Sequence, residues 1–177
     1  SGGRVDLGVG IGWLKEEFEA LGVPWKDRAG RTLECIEVMK TLWCDDVSSH
    51  QGKYFSIDAA YQNPKPVQKP HIPILFGGES DPALLRVAQV GQGWYGFNLT
   101  PQLLEERLGY LARLLDAQGR SIEEIRICVG PASSVRSAAD FERFQSLGVD
   151  QVVLPVMAAR ISSLEERAKK AFARVYG

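Results

Sequence analysis

Histidine and cysteine are scarce in this 177-residue chain, which has two histidines, His50 and His71, and three cysteines, Cys35, Cys44 and Cys128. The cysteines lie far apart and none forms a C-x-x-C pair, so the common metal spacings are excluded. Their odd number, with no export signal at Ser1-Gly2-Gly3-Arg4, points to a reducing cytoplasm. A zinc centre or a Ser-His-Asp hydrolase would depend on one of two histidines in irregular-reading segments, and no G-x-S-x-G elbow is present. Net charge is −1 and no Lys/Arg block occurs, which removes the electrostatic footprint of nucleic-acid binding. No apolar run reaches the roughly 20 residues a membrane helix needs. No repeat and no low-complexity segment stands out. What is left is 45% hydrophobic and 24% charged, the composition of a globular domain with a real core.

The most informative segment is Ile72-Pro73-Ile74-Leu75-Phe76-Gly77-Gly78-Glu79-Ser80-Asp81-Pro82-Ala83-Leu84. It reads as a buried strand that stops at a glycine pair, turns and enters a helix, with Asp81 as N-cap and Pro82 at the first helical position. Such a turn offers unpaired backbone N–H groups at the positive end of a helix dipole, a setting suited to phosphate. The plainer alternative is that Gly77 and Gly78 only let the chain turn.

Strand-like Val5–Val9 opens the chain, followed by helices over about 14–21 and 26–43. The segment 44–72 reads as an excursion within a single domain of residues 1–177. It holds a hairpin of Val47–Ser49 with Tyr54–Ile57 around Gln51-Gly52-Lys53, then a proline-rich stretch, polyproline II or irregular. From Ile74 on, strands and helices alternate: strands at 74–76, 93–97 (weak), 125–129 and 151–154, helices at 82–90, 101–117, 137–146 and 164–175. Leu104, Leu108, Leu111 and Leu115 form one apolar helix face. Units of this size predict an α/β fold of parallel strands with helical crossovers. Five strands allow either an open doubly wound sheet or a partial (β/α)8 barrel with about five of eight βα units.

Other residues invite chemistry and have a plainer reading beside it. Gly8-Val9-Gly10-Ile11-Gly12 follows a strand, but Trp13 occupies the third glycine position of a dinucleotide fingerprint, so a kinked barrel rim is the favoured reading. Trp13 and Trp94 could stack on a ring or fill the core. Glu16 and Glu17 point about 100° apart on a helix, which argues against a carboxylate pair. Arg28, Arg31 and Glu34 have helical spacing and predict an internal ion pair. Arg86 reads as a surface or packing residue, and His50 as exposed beside the hairpin turn.

Many spaced motifs together resemble the luciferase-like monooxygenase superfamily. They run from Gly2-Gly3-Arg4-Val5 and Gly8-Val9-Gly10-Ile11-Gly12-Trp13 through Glu17-Phe18, Leu21-Gly22-Val23-Pro24, Arg28, Arg31 and Glu34. Leu42-Trp43, Gly52-Lys53-Tyr54-Phe55, Pro64-Lys65-Pro66-Val67-Gln68, Pro73-Ile74 and Gly77-Gly78 continue them in the same order. The resemblance implies a (β/α)8 barrel, FMN or the deazaflavin coenzyme F420 as cofactor, and a small-molecule substrate, with the F420-dependent branch most similar. It begins at the family's fourth strand, so the chain is similar to the C-terminal part of such an oxidoreductase. The resemblance places the cofactor phosphate at Gly77, Gly78, Glu79 and Ser80, and the loop with Gly10 and Gly12 near the ring. It assigns no catalytic acid or base. Where the family often has Asp-Gly-Trp, this chain has Gln92-Gly93-Trp94. The competing expectation is a non-catalytic half-barrel that binds a phosphorylated ligand or serves as an assembly fragment. In either case a homo-oligomer covering the open barrel side is expected.

Overall fold

The computed structural model describes residues 1–157 and 159–176, which fall into two compact units, Ser1–Pro73 and Ile74–Gly177. The first unit holds β1 (Leu7–Val9), α1 (Lys15–Ala20), a 3-10 turn at Trp25–Asp27 and the long helix α2 (Arg28–Cys44). The antiparallel hairpin β2 (Ser48–Gln51) and β3 (Ser56–Ala60) follows, with His50 opposite Ile57. It is the expected hairpin, shifted a few residues toward the C-terminus. The Leu7 N–H donates to the Pro73 carbonyl at 2.8 Å, which ties β1 to the end of the excursion.

The second unit alternates strictly: β4 (Ile74–Gly77), α3 (Asp81–Val90), β5 (Gly93–Leu99), α4 (Pro101–Asp116), β6 (Arg126–Pro131), α5 (Ala138–Ser146), β7 (Gln151–Val152) and α6 (Leu164–Tyr176). Its strands are parallel in the order β4-β5-β6-β7. Parallel neighbours need helical crossovers, and each pair is joined by one. All five expected barrel strands are therefore present, β1 in the first unit and four in the second.

The core lies mainly in the second unit. Ile74 and Phe76 of β4 are buried, as are Leu84 and Val87 of α3 and Ile127 and Val129 of β6. Leu104, Leu111 and Leu115 of α4 are fully buried, the face expected from their spacing, while Leu108 is half-buried.

The strand read as weak, β5, has seven residues and is hydrogen-bonded on both sides. Its glycines lower strand propensity, yet they are what close packing demands. A Cβ at Gly93 would stand 2.6 Å from Leu75 Cγ and 3.0 Å from the Arg126 carbonyl oxygen. Position in the sheet overrides propensity here. The opposite correction applies to β7. It is shorter than the expected 151–154, and Val153 is 41% exposed where a buried apolar run was expected. An edge strand is covered on one side only, so its side chains need not be apolar throughout.

Candidate functional site

The turn from β4 to α3 is built around Gly78. Its φ of +107° favours glycine, and a Cβ there would lie 3.1 Å from the Ala83 Cβ. The buried Trp94 of β5 donates its indole N–H to the Gly78 carbonyl at 2.9 Å. Glu79 accepts the Phe97 backbone N–H at 2.6 Å. Ser80 is the N-cap, and its carbonyl takes the N–H groups of Ala83 (2.8 Å) and Leu84 (3.0 Å). This corrects the expected cap by one residue: Asp81 is the first helical residue and Pro82 the second. The Asp81 carboxylate turns to Arg107 of α4 instead, at 2.7 Å.

These contacts leave the backbone N–H groups of Glu79, Ser80 and Asp81 without an acceptor among the described residues. They stand at the positive end of a ten-residue helix. The exposed Ser80 hydroxyl, which makes no capping hydrogen bond, lies beside them. Three free donors and a hydroxyl at a glycine-lined turn fit a phosphate. The two nearby carboxylates are occupied, Glu79 by Phe97 and Asp81 by Arg107. The structure therefore brings Gly77, Gly78, Glu79 and Ser80 together in one turn.

Gly10 and Gly12 belong to the first unit. They line an open cleft of about 430 Å3 together with Phe18, Arg28, Arg31 and Phe55, among others. Gly12 has a φ of +80°, and a Cβ on it would stand 2.5 Å from the Phe18 ring, so glycine is required there. Trp13 beside it is 84% exposed. Trp94 is fully buried, so of the two tryptophans weighed as stacking residues it fills the core.

The expected ion pair among Arg28, Arg31 and Glu34 is not formed. Each arginine lies over an aromatic ring, Arg28 3.6 Å from the centre of Trp25 and Arg31 4.8 Å from that of Phe55. Glu34 serves the hairpin: its carboxylate accepts the backbone N–H groups of Lys53 (3.0 Å), Tyr54 (2.8 Å) and Phe55 (2.7 Å). His50, expected to be exposed, is 15% exposed with its Nε2 3.5 Å from Glu34. Burial acts to raise the Glu34 pKa, but the hydrogen bonds from Tyr54, Phe55, His50 and Lys53 outweigh it and hold the group below its ordinary value. A glutamate at the middle of a helix followed by a G-K-Y-F turn carries no local mark of this contact, which only the fold brings about. Arg86, read as a surface or packing residue, is 8% exposed.

Gln92 shows what replaces the aspartate common in the resembling sequences. Its side-chain oxygen accepts the Ile74 N–H at 3.1 Å and its amide donates to the Val90 carbonyl at 3.2 Å. An amide thus joins the start of β4 to the end of α3, using a donor that a carboxylate lacks. Among the described residues no group of histidine, cysteine or carboxylate side chains could hold a metal ion, and no helix is long and apolar enough to cross a membrane.

Strand–helix alternation with a glycine turn at a strand's C-terminal end defines an α/β chain. The family model described as luciferase-like monooxygenase matches residues 1–174, and the chain belongs to that family. An uncharacterised protein of Mycobacterium bovis is 36% identical over 120 residues, covering 68% of this chain and 41% of that protein. The FMNH2-dependent dimethylsulfone monooxygenase of Pseudomonas putida is 37% identical over 101 residues, covering 55% of this chain and 28% of that enzyme. The matched stretch is thus well under half the length of these curated relatives.

Among solved structures, an F420-dependent secondary alcohol dehydrogenase superposes with a TM-score of 0.76 at 16% identity, covering 98% of this chain and 70% of that one. The coenzyme F420 dependent tetrahydromethanopterin reductase from Methanopyrus kandleri gives 0.63 at 18%, covering 99% and 58%. At these identities the likeness is one of fold. It decides the architecture in favour of a partial (β/α)8 barrel over the open doubly wound sheet.

Proposed function

We propose that this chain forms the phosphate-anchoring part of a flavin- or deazaflavin-dependent oxidoreductase that acts on a small molecule. The observation that carries the reading is the trio of acceptor-less N–H groups at Glu79, Ser80 and Asp81, next to the Ser80 hydroxyl. The membership of the chain in the luciferase-like family, with FMNH2-dependent and F420-dependent proteins among its relatives and fold neighbours, supplies the candidate owners of that phosphate. FMN, once reduced, supplies oxygen activation, and coenzyme F420 supplies hydride exchange with carbon.

The work of this chain is binding and orientation. Gly77 and Gly78 let the backbone approach the phosphate closely, and Trp94 and Phe97 hold the turn from β5. The α3 dipole favours the dianion over its protonated form.

Titration of the protein with FMN and with coenzyme F420, read by fluorescence and repeated with inorganic phosphate as competitor, tests the reading. Micromolar binding of one ring system, weakened by phosphate and lowered about two- to tenfold in Ser80→Ala for one lost hydrogen bond, is the expected result. Cofactor affinity indifferent to both phosphate and Ser80→Ala would overturn the anchor. Binding of phosphate alone would favour a non-catalytic phosphoryl-ligand binder.

A further inference from the structure

On one face of one helix, the first unit carries two guanidinium groups with no carboxylate partner among the described residues. Arg28, Arg31 and Cys35 stand at helical spacings i, i+3 and i+7 on α2 and all line the open cleft. Arg31 has no hydrogen-bond acceptor among the described residues and lies over the Phe55 ring, 4.8 Å from its centre. Arg28 gives Nη1 to the Trp25 carbonyl at 3.0 Å, while its Nε is buried without a hydrogen-bond partner. Both lie in the first turn of a 17-residue helix, where the dipole adds to the positive potential. Among the described residues Glu17 is the one carboxylate lining the cleft, so two cations face one anion.

The walls are apolar. Phe18, Leu21 and Phe55 supply much of them, and Phe55 is fixed in place through its N–H bond to Glu34 at 2.7 Å. A guanidinium stacked on a ring keeps its in-plane N–H groups open for a planar two-oxygen acceptor. One net positive charge matches a monoanion, and the cleft volume of about 430 Å3 falls in the range of small-molecule sites.

We propose that this cleft binds a small organic carboxylate with an aromatic or branched apolar body, its carboxylate on Arg31 and its body against Phe18 and Phe55. The site stands on the first unit alone and does not rest on the phosphate anchor.

The test is calorimetric titration of the whole chain with 4-phenylbutyrate and with its neutral match, 4-phenyl-1-butanol, at low salt. The carboxylate is expected to bind at least tenfold more tightly than the alcohol. Arg31→Gln should remove that preference, with an unchanged far-UV circular dichroism spectrum showing that the variant is folded. Glu17→Gln should tighten carboxylate binding several-fold. Bound 4-phenylbutyrate should slow alkylation of Cys35 relative to Cys44, followed by peptide mass spectrometry. Equal affinities for the two probes, no binding at millimolar carboxylate, or a preference that survives Arg31→Gln would each overturn the proposal. Ser80→Ala should leave carboxylate binding unmoved, so failure of one site does not count against the other.

Discussion

Trp94→Phe tests whether the glycine turn is held from the sheet or only by its own backbone. Trp94 is fully buried in β5, with Phe76 of β4 beside it on one flank and Ile127 of β6 on the other. Its indole N–H is the donor to the Gly78 carbonyl. Phenylalanine keeps an aromatic ring in the same place but is about 40 Å3 smaller, which at roughly 24 cal/mol per Å3 of cavity costs about 1 kcal/mol. Leaving the Gly78 carbonyl without its donor adds about 1–3 kcal/mol. The sum, about 2–4 kcal/mol, is a large share of the 5–15 kcal/mol typical of a folded domain. Urea unfolding followed by circular dichroism would measure it, with Trp13→Phe as control. Trp13 is 84% exposed, so its replacement should stay within about 0.5 kcal/mol. The same variant should weaken phosphate binding, because the bond it removes holds the carbonyl of the left-handed glycine. A Trp94→Phe loss no greater than that of Trp13→Phe would refute the account.

Two further perturbations probe the first unit. The Glu34 carboxylate has its pKa lowered in the fold, so its contribution is full above the ordinary value of 4.5 and is lost as pH falls through the lower folded value. Stability measured from pH 6 downward should therefore fall below about 4.5, and Glu34→Gln should flatten that limb; an unchanged slope would count against the hairpin contact. Gly12→Ala places a methyl 2.5 Å from the Phe18 ring at a φ of +80°. It should cost about 1–3 kcal/mol in thermal or urea unfolding. Gly10→Ala, which meets nothing within 4 Å, should be close to neutral.

Much of the fold was legible because its signals are local and periodic. The α4 face of Leu104, Leu111 and Leu115 can be read from spacing alone, and Pro82 and Pro101 mark helix starts within one residue of those observed. The strands were harder, since a parallel strand reports its neighbours more than its own propensity. Gly93 and Gly96 weaken β5 as an isolated segment, yet each stands where a Cβ would meet another residue at 2.6 Å or less. The reverse holds at β7, where Val152-Val153-Leu154 reads as fully buried but edge position leaves Val153 partly in solvent.

The candidate site divides along the same line. The Gly77–Gly78 turn was visible because a glycine pair between an apolar strand and a helix start is a short-range pattern. Which residue capped that helix was not, because Asp81 and Ser80 are both good caps and the choice fell to Arg107, 26 positions away. Helical spacing likewise put Glu34 near Arg28 and Arg31, but spacing cannot weigh an exposed ion pair against three backbone N–H groups arriving from a hairpin. The hairpin offers the stronger set: a partly buried carboxylate gains more from three backbone donors than from one half-exposed cation. That choice frees both arginines for the cleft. The feature that defeated the sequence reading, a glutamate turned away from its helical neighbours, is therefore what leaves positive charge available for a ligand.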